Sequence, residues 1–153
     1  MPAPGEAVIG LLQRVSEASV TVAGRRIAAI GRGLLVLVAV VPGDGPNQAE
    51  RLAQRLLGYR VFADAAGRMN RSVTDIGGEL LLVPQFTLAA DTSAGMRPGF
   101  STAAPPDQAR QLFDRLVAGV RERVPGAQSG CFGADMQVVL VNDGPVTFWL
   151  EAR

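Results

Sequence analysis

Two short segments hold the polar groups best placed for chemistry. In ELLLVPQFTLAADT, Gln85 and Thr87 interrupt an apolar stretch and lead into a loop. A hydroxyl and neighbouring main-chain N–H groups at such a strand end can hold a carbonyl or its oxyanion. Propensity alone also favours threonine in a strand, so this segment has a structural reading beside the catalytic one. In NDGPVTFW, Gly144-Pro145 reads as the turn of a hairpin. A cis form, found in about 5–6% of X-Pro bonds in folded proteins, would set two successive carbonyl oxygens on one side as a rigid polar gate.

What the chain lacks restricts the chemistry further. Its 15 Lys+Arg are all arginine, against 14 Asp+Glu, and it has no histidine and one cysteine, Cys131. Ser-His-Asp and Cys-His catalysis, a lysine Schiff base and a lysine phosphate loop are excluded. One thiolate cannot build a zinc shell, so any metal would need to be a hard, carboxylate-bound ion; neither a metal nor a cofactor is expected. Asp91, Asp135 and Asp143 fall at element ends, where aspartate serves turns and caps, and make a weak case for acid/base catalysis by paired carboxylates. Gly31-x-Gly33 has valine at position 36 and no following helix, which fits a turn between strands better than a dinucleotide loop.

The elements that must position these groups follow from periodicity. AVIGLLQRV and SEASVTV read as strand, turn, strand up to Gly24; Ile27–Ile30 is a short strand; Leu34–Val41 is an unbroken apolar run, the mark of a strand covered on both faces. Asp44 or Asn47 is placed to cap a helix bearing Leu52, Ala53, Leu56 and Leu57 and closed by Gly58. YRVFAD is a short strand, DAAGRMN a turn, and 71–78 irregular. Pro84 has no N–H, so the next strand is expected to hold its ladder to Val83, with Gln85, Phe86 and Thr87 where it departs. A loop over 91–106 precedes a second helix from Pro105-Pro106, with Leu112, Phe113, Leu116, Val117 and Val120 on one face. MQVVLVN and VTFWLEA complete the reading as a hairpin around Asp143-Gly144-Pro145.

Two helices and seven or eight strands give an α/β fold, expected as a single domain over residues 1–153. Its opening residues lack the basic and apolar regions of a secretory signal. The longest apolar run falls well short of the roughly 20 residues that cross a bilayer. A soluble cytoplasmic protein is the expectation.

QRVSEASVTV, QFTLAADT with MRPGFS, and FGADMQVVLVNDGPVTFWLE together resemble the D-aminoacyl-tRNA deacylase family, in the same order and across essentially the whole chain. The resemblance implies a mixed sheet curled toward a barrel with two helices packed on it, in a three-layer fold. It also implies a homodimeric cytoplasmic hydrolase that cleaves the ester between a D-amino acid and the acceptor end of tRNA, and that removes glycine mischarged on tRNA-Ala. Gln85, Phe86 and Thr87 would form the catalytic floor, and Phe132 and Met136 would bind substrate. A cis Gly144-Pro145 would be the chirality gate, braced by Arg14 and entering the partner subunit's active site. The family commonly has serine where this chain has Pro84, so no role of that serine's hydroxyl or amide operates here.

With no side-chain base of suitable resting pKa, ester hydrolysis would draw on main-chain groups and the ribose 2′-hydroxyl. A gate that rejects L-residues by clash cannot refuse glycine. Two rival readings remain: a non-catalytic small-molecule binding module with clefts between subunits, and a broad esterase using Thr87 or Ser101.

Overall fold

The computed structural model describes residues 8–41, 43 and 45–153, so the leading segment and the candidate cap Asp44 lie outside the described residues. In chain order the elements are β1 (Val8–Val22), β2 (Arg25–Ile30), β3 (Gly33–Ala39), α1 (Pro46–Gly58), β4 (Phe62–Ala63), β5 (Met69–Arg71), β6 (Glu79–Pro84), a 3-10 turn (Phe86–Ala89), α2 (Pro106–Arg121), β7 (Gln128–Ser129) and β8 (Met136–Ala152). Five strands form the order β2-β1-β3-β6-β7, and β8 adds to β1.

Two of the expected turns are not turns. β1 runs unbroken through Ser16-Glu17, and β8 runs unbroken through Asp143-Gly144-Pro145. The reason is mutual: the two strands are antiparallel partners from Val8↔Ala152 to Val22↔Met136, so each supplies the other's ladder. The register slips between Gln13↔Thr147 and Val15↔Asn142, which leaves residues 143–146 opposite Arg14 alone. Gly144-Pro145 therefore occupies a bulge in a long strand, not a hairpin turn.

The unbroken run at β3 is covered on both faces, as its lack of alternation implies. Leu34, Val36 and Val38 face the helices with Leu80 and Leu82 of β6. Leu35 and Leu81 face the other way, toward Val15, Ala18 and Val20 of β1 and Ala28 and Ile30 of β2. The chain thus makes three layers: helices, the parallel β3–β6 pair, and the curled β1–β2–β8 portion. The curl nearly closes, because the Gln128 side chain bonds both polar groups of Ala29, accepting from its N–H at 2.8 Å and donating to its carbonyl at 2.7 Å.

Both helices bury the predicted stripes, Leu52, Ala53, Leu56 and Leu57 on α1 and Leu112, Phe113, Leu116, Val117 and Val120 on α2. The N-cap of α1 is Gly45, whose N–H donates to Gln48 Oε1 at 2.9 Å; Asn47 lies inside the helix. Met69–Arg71, expected within a turn region, pairs with Phe62–Ala63. No helix among the described residues is long and apolar enough to cross a membrane.

Candidate functional site

β6 continues one residue beyond expectation, to Pro84 opposite Val38. The odd-numbered N–H groups here point to β3, as the bond from Gln85 N–H to the Val38 carbonyl at 2.7 Å shows. The missing N–H of Pro84 faces the other side, where β7 has already ended opposite Leu82. Proline is tolerated because no ladder partner stands there. Beyond it the chain turns into the 3-10 segment, with Leu88 N–H donating to the Gln85 carbonyl at 3.2 Å and Ala90 N–H to that of Thr87 at 3.1 Å. The first N–H groups of such a turn have no acceptor within it, so those of Phe86 and Thr87 are available to a ligand. The Gln85 side-chain amide donates to the Thr87 hydroxyl.

Across from this turn lies the loop joining β7 to β8. Gly130 N–H donates to the Leu82 carbonyl at 2.8 Å, and Ala134 N–H to that of Cys131 at 3.2 Å. The Met136 thioether accepts from Cys131 N–H at 3.4 Å. Phe132 rests against Phe113, with ring centroids 6.4 Å apart, beneath the guanidinium of Arg110 at 5.1 Å. Between the two segments is a cleft of about 440 Å³, lined by Pro84, Gln85 and Phe86 on one side and Phe132 to Met136 on the other. The start of α2 closes its end through Pro106, Ala109 and Phe113.

The structure therefore gathers Gln85, Phe86, Phe132 and Met136 on one cleft, with Thr87 joined through Gln85. Asp135, which its sequence context marks only as a turn residue, also lines the cleft. The contribution of α2 carries no chemical signature, since small apolar residues at a helix start look the same whether or not they border a cavity.

Arg14, Gly144 and Pro145 lie elsewhere. Arg14 pairs with Leu34 near the start of β3, whereas the cleft begins at Val38. Four residues of strand make the separation roughly 13 Å. At the bulge, Arg14 Nε donates to the Asp143 carbonyl at 3.0 Å and Nη1 to that of Val61 at 2.8 Å. Asn142 spans the bulge, donating to Thr147 Oγ1 at 2.8 Å and accepting from Val146 N–H at 3.0 Å. The Gly144–Pro145 peptide is cis, and Gly144 has φ +138°. A Cβ there would stand 2.7 Å from Val146 Cγ2 and 3.1 Å from Arg14 Nη2, so glycine is required. Both Gly144 and Pro145 are exposed.

Residues 11–151 match the family model described as D-Tyr-tRNA(Tyr) deacylase. The chain belongs to this deacylase family. A relative in the family, the D-aminoacyl-tRNA deacylase of Alkalilimnicola ehrlichii, is 61% identical over 146 residues, covering 95% of this chain and 97% of that protein. Two solved structures share the deacylase fold seen here. A c-Myc DNA unwinding element binding protein superposes with TM-score 0.90 at 40% identity, over 95% of this chain and 99% of that one. A probable eukaryotic D-amino acid tRNA deacylase gives TM-score 0.86 over the same shares, and at 17% identity the likeness is of fold alone.

Proposed function

We propose that this chain hydrolyses the ester of D-aminoacyl-tRNA, releasing the D-amino acid and free tRNA. The observation that carries the reading is the meeting of the Gln85-Phe86-Thr87 turn and the Phe132–Met136 loop across one cleft, in a chain matched to the deacylase family over residues 11–151. Phe132 offers a ring face to the terminal adenine, and Met136 an adaptable apolar wall. Water adds to the ester carbonyl, and the N–H groups of Phe86 and Thr87 hold the oxyanion. Collapse expels the ribose 3′-oxygen, which takes up the proton released by the attacking water, relayed through the adjacent 2′-hydroxyl. The adjacent 2′-hydroxyl activates the water, since the chain has no histidine or lysine to do so. Thr87, held by Gln85 and without a base, positions substrate and forms no covalent bond with it.

Chirality is assigned to Gly144-Pro145. The segment is exposed and braced by Arg14, and it lies too far from its own cleft to act there. In the proposed homodimer the bulge of one protomer sits over the cleft of the other and excludes the side chain of an L-residue by clash. Glycine, with no side chain, passes, so glycine mischarged on tRNA-Ala is a second substrate. The bulge lies on an edge strand that also exposes Val139 (59%), Val141 (47%) and Trp149 (49%), an apolar surface suited to a second copy.

The test mixes two variants that each spoil a site, Gly144→Val, which distorts the bulge and leaves the cleft intact, and Ala134→Trp, which fills the cleft and leaves the bulge intact. If gate and cleft act between subunits, re-equilibrated mixtures regain about a quarter of wild-type sites, because half the dimers are mixed and each holds one complete site. No recovery in a verified mixed dimer contradicts the arrangement, and no cleavage of D-tyrosyl-tRNA by the wild-type chain contradicts the activity.

A further inference from the structure

The loop from Asp91 to Ala103 projects beside the cleft with side chains that a folded chain does not ordinarily leave in water. Met96 is 99% exposed, and Phe100 is 44% exposed while packing on Phe86, itself 58% exposed, with ring centroids 5.3 Å apart and planes tilted by 51°. Arg97 lies between them in sequence and has no hydrogen-bond or ion-pair partner among the described residues. The base of the loop is fixed. Asp91 and Gly99 exchange main-chain bonds of 2.7 and 2.9 Å, and Thr102 donates to the Ala89 carbonyl. Asp91 is the loop's one carboxylate, and it is occupied by the Ser93 hydroxyl and N–H, at 2.6 and 2.9 Å. The positive charge of Arg97 is thus uncompensated, and Phe86 makes the exposed rings continuous with the cleft wall.

We propose that Met96, Arg97 and Phe100 form a lip that grips the unpaired nucleotides preceding the terminal adenosine, a role that rests on the deacylase reading above. Exposed rings beside an unpaired arginine are the chemistry of a single-stranded nucleic acid platform: the π-faces stack bases of any identity and the guanidinium meets a phosphodiester. A second copy of the chain is the poorer occupant, because burying Arg97 in a subunit contact would leave its charge desolvated and unpaired. Phosphate is the complementary partner.

The test compares two substrates that share the ester, D-tyrosyl-tRNA and D-tyrosyl-adenosine, on Met96→Gln, Arg97→Gln and Phe100→Ser. Met96 touches so little that its replacement leaves the fold as it is. For Phe100→Ser, kcat/KM on the tRNA is expected to fall roughly tenfold, the effect of losing a base–aromatic stack. For Arg97→Gln, the slope of log(kcat/KM) against log[salt] on the tRNA should become shallower by about 0.7, one phosphate contact on a single strand. Met96→Gln and Arg97→Gln should cleave D-tyrosyl-adenosine at the wild-type rate, and Phe100→Ser, which also removes a ring packed on Phe86, should lose less on it than on the tRNA. Equal losses on both substrates, no loss on either, or dissociation of the dimer in light scattering would overturn the lip. A wild-type chain that spares both substrates overturns the deacylase reading, and the lip with it.

Discussion

Arg14 is where the fold and the proposed gate meet, and Arg14→Ala separates their contributions. The guanidinium makes two bonds to main-chain carbonyls, of buried Val61 at 2.8 Å and of Asp143 at 3.0 Å. The Asp143 carboxylate stands 3.9 Å away with its side chain 60% exposed, so that ion pair contributes little. A charged bond to a buried carbonyl is worth about 1.5–3 kcal/mol and the exposed one about 0.5–1, which together give a loss of about 2–4 kcal/mol. For a domain of this size that corresponds to roughly 5–15 °C in melting temperature. Arg14→Lys keeps the charge but reaches one carbonyl at a time, so about half the loss is expected. Freed of its brace, the bulge shifts, and a displacement of about 1 Å in a positioning group costs up to roughly 100-fold in kcat/KM. Differential scanning fluorimetry and deacylation kinetics on D- and L-tyrosyl-tRNA measure both effects. A melting temperature within about 1 °C of wild type would refute the stability reasoning. A destabilised variant with unchanged kcat/KM and unchanged D/L selectivity would refute the link from brace to gate.

Four other outcomes follow from the same structure. Thr87→Ala should slow turnover by about tenfold without abolishing it, as befits a positioning group; complete loss with an aminoacyl-enzyme visible by mass spectrometry would establish a covalent route instead. Glycyl-tRNA should be cleaved in the same assay that spares L-tyrosyl-tRNA, and a chain that spares both contradicts a purely steric gate. Stability to urea should hold at neutral pH and fall as the pH drops below about 4. The Ser72 N–H and hydroxyl lower the Asp75 pKa below 3.8, so that this carboxylate's contribution is complete above the ordinary value and is lost as pH drops through the lowered one. Gly33→Ala should prevent folding, because its Cβ would lie 1.8 Å from the Glu79 carbonyl oxygen, and a soluble, cooperative variant would contradict the parallel pairing.

The helices and the doubly covered β3 are legible in the sequence because their burial is periodic: Leu52, Leu56, Leu112 and Leu116 declare a face without reference to any distant residue. The bulge is not legible. Asp-Gly-Pro carries the residues of a turn, and whether the chain reverses there depends on β1 passing straight alongside, a contact more than a hundred residues away in sequence. The cleft divides in the same way. Gln85, Phe86, Phe132 and Met136 announce themselves through motif and chemistry, whereas Ala109 and Pro106 border the cleft only because α2 begins there. The separation of Arg14 and Gly144 from that cleft is a matter of strand length and register, which no local pattern encodes.

The Gln128 side chain, which completes the curl between β2 and β7, has a consequence for motion. Elsewhere in the sheet a row of main-chain bonds must break together, but between β2 and β7 the hydrogen bonds come from one side-chain amide with its own rotatable bonds, beside the apolar packing of Ala28 and Ile30 on Leu81 and Val83. It is the place where the sheet opens at least cost, and native-state hydrogen exchange should find the Ala29 amide less protected than those of β3. The loop that follows β7 forms one wall of the cleft, so an opening at this seam is expected to widen the cleft. The exchange rate of a single alanine amide would then report how readily that wall of the cleft moves.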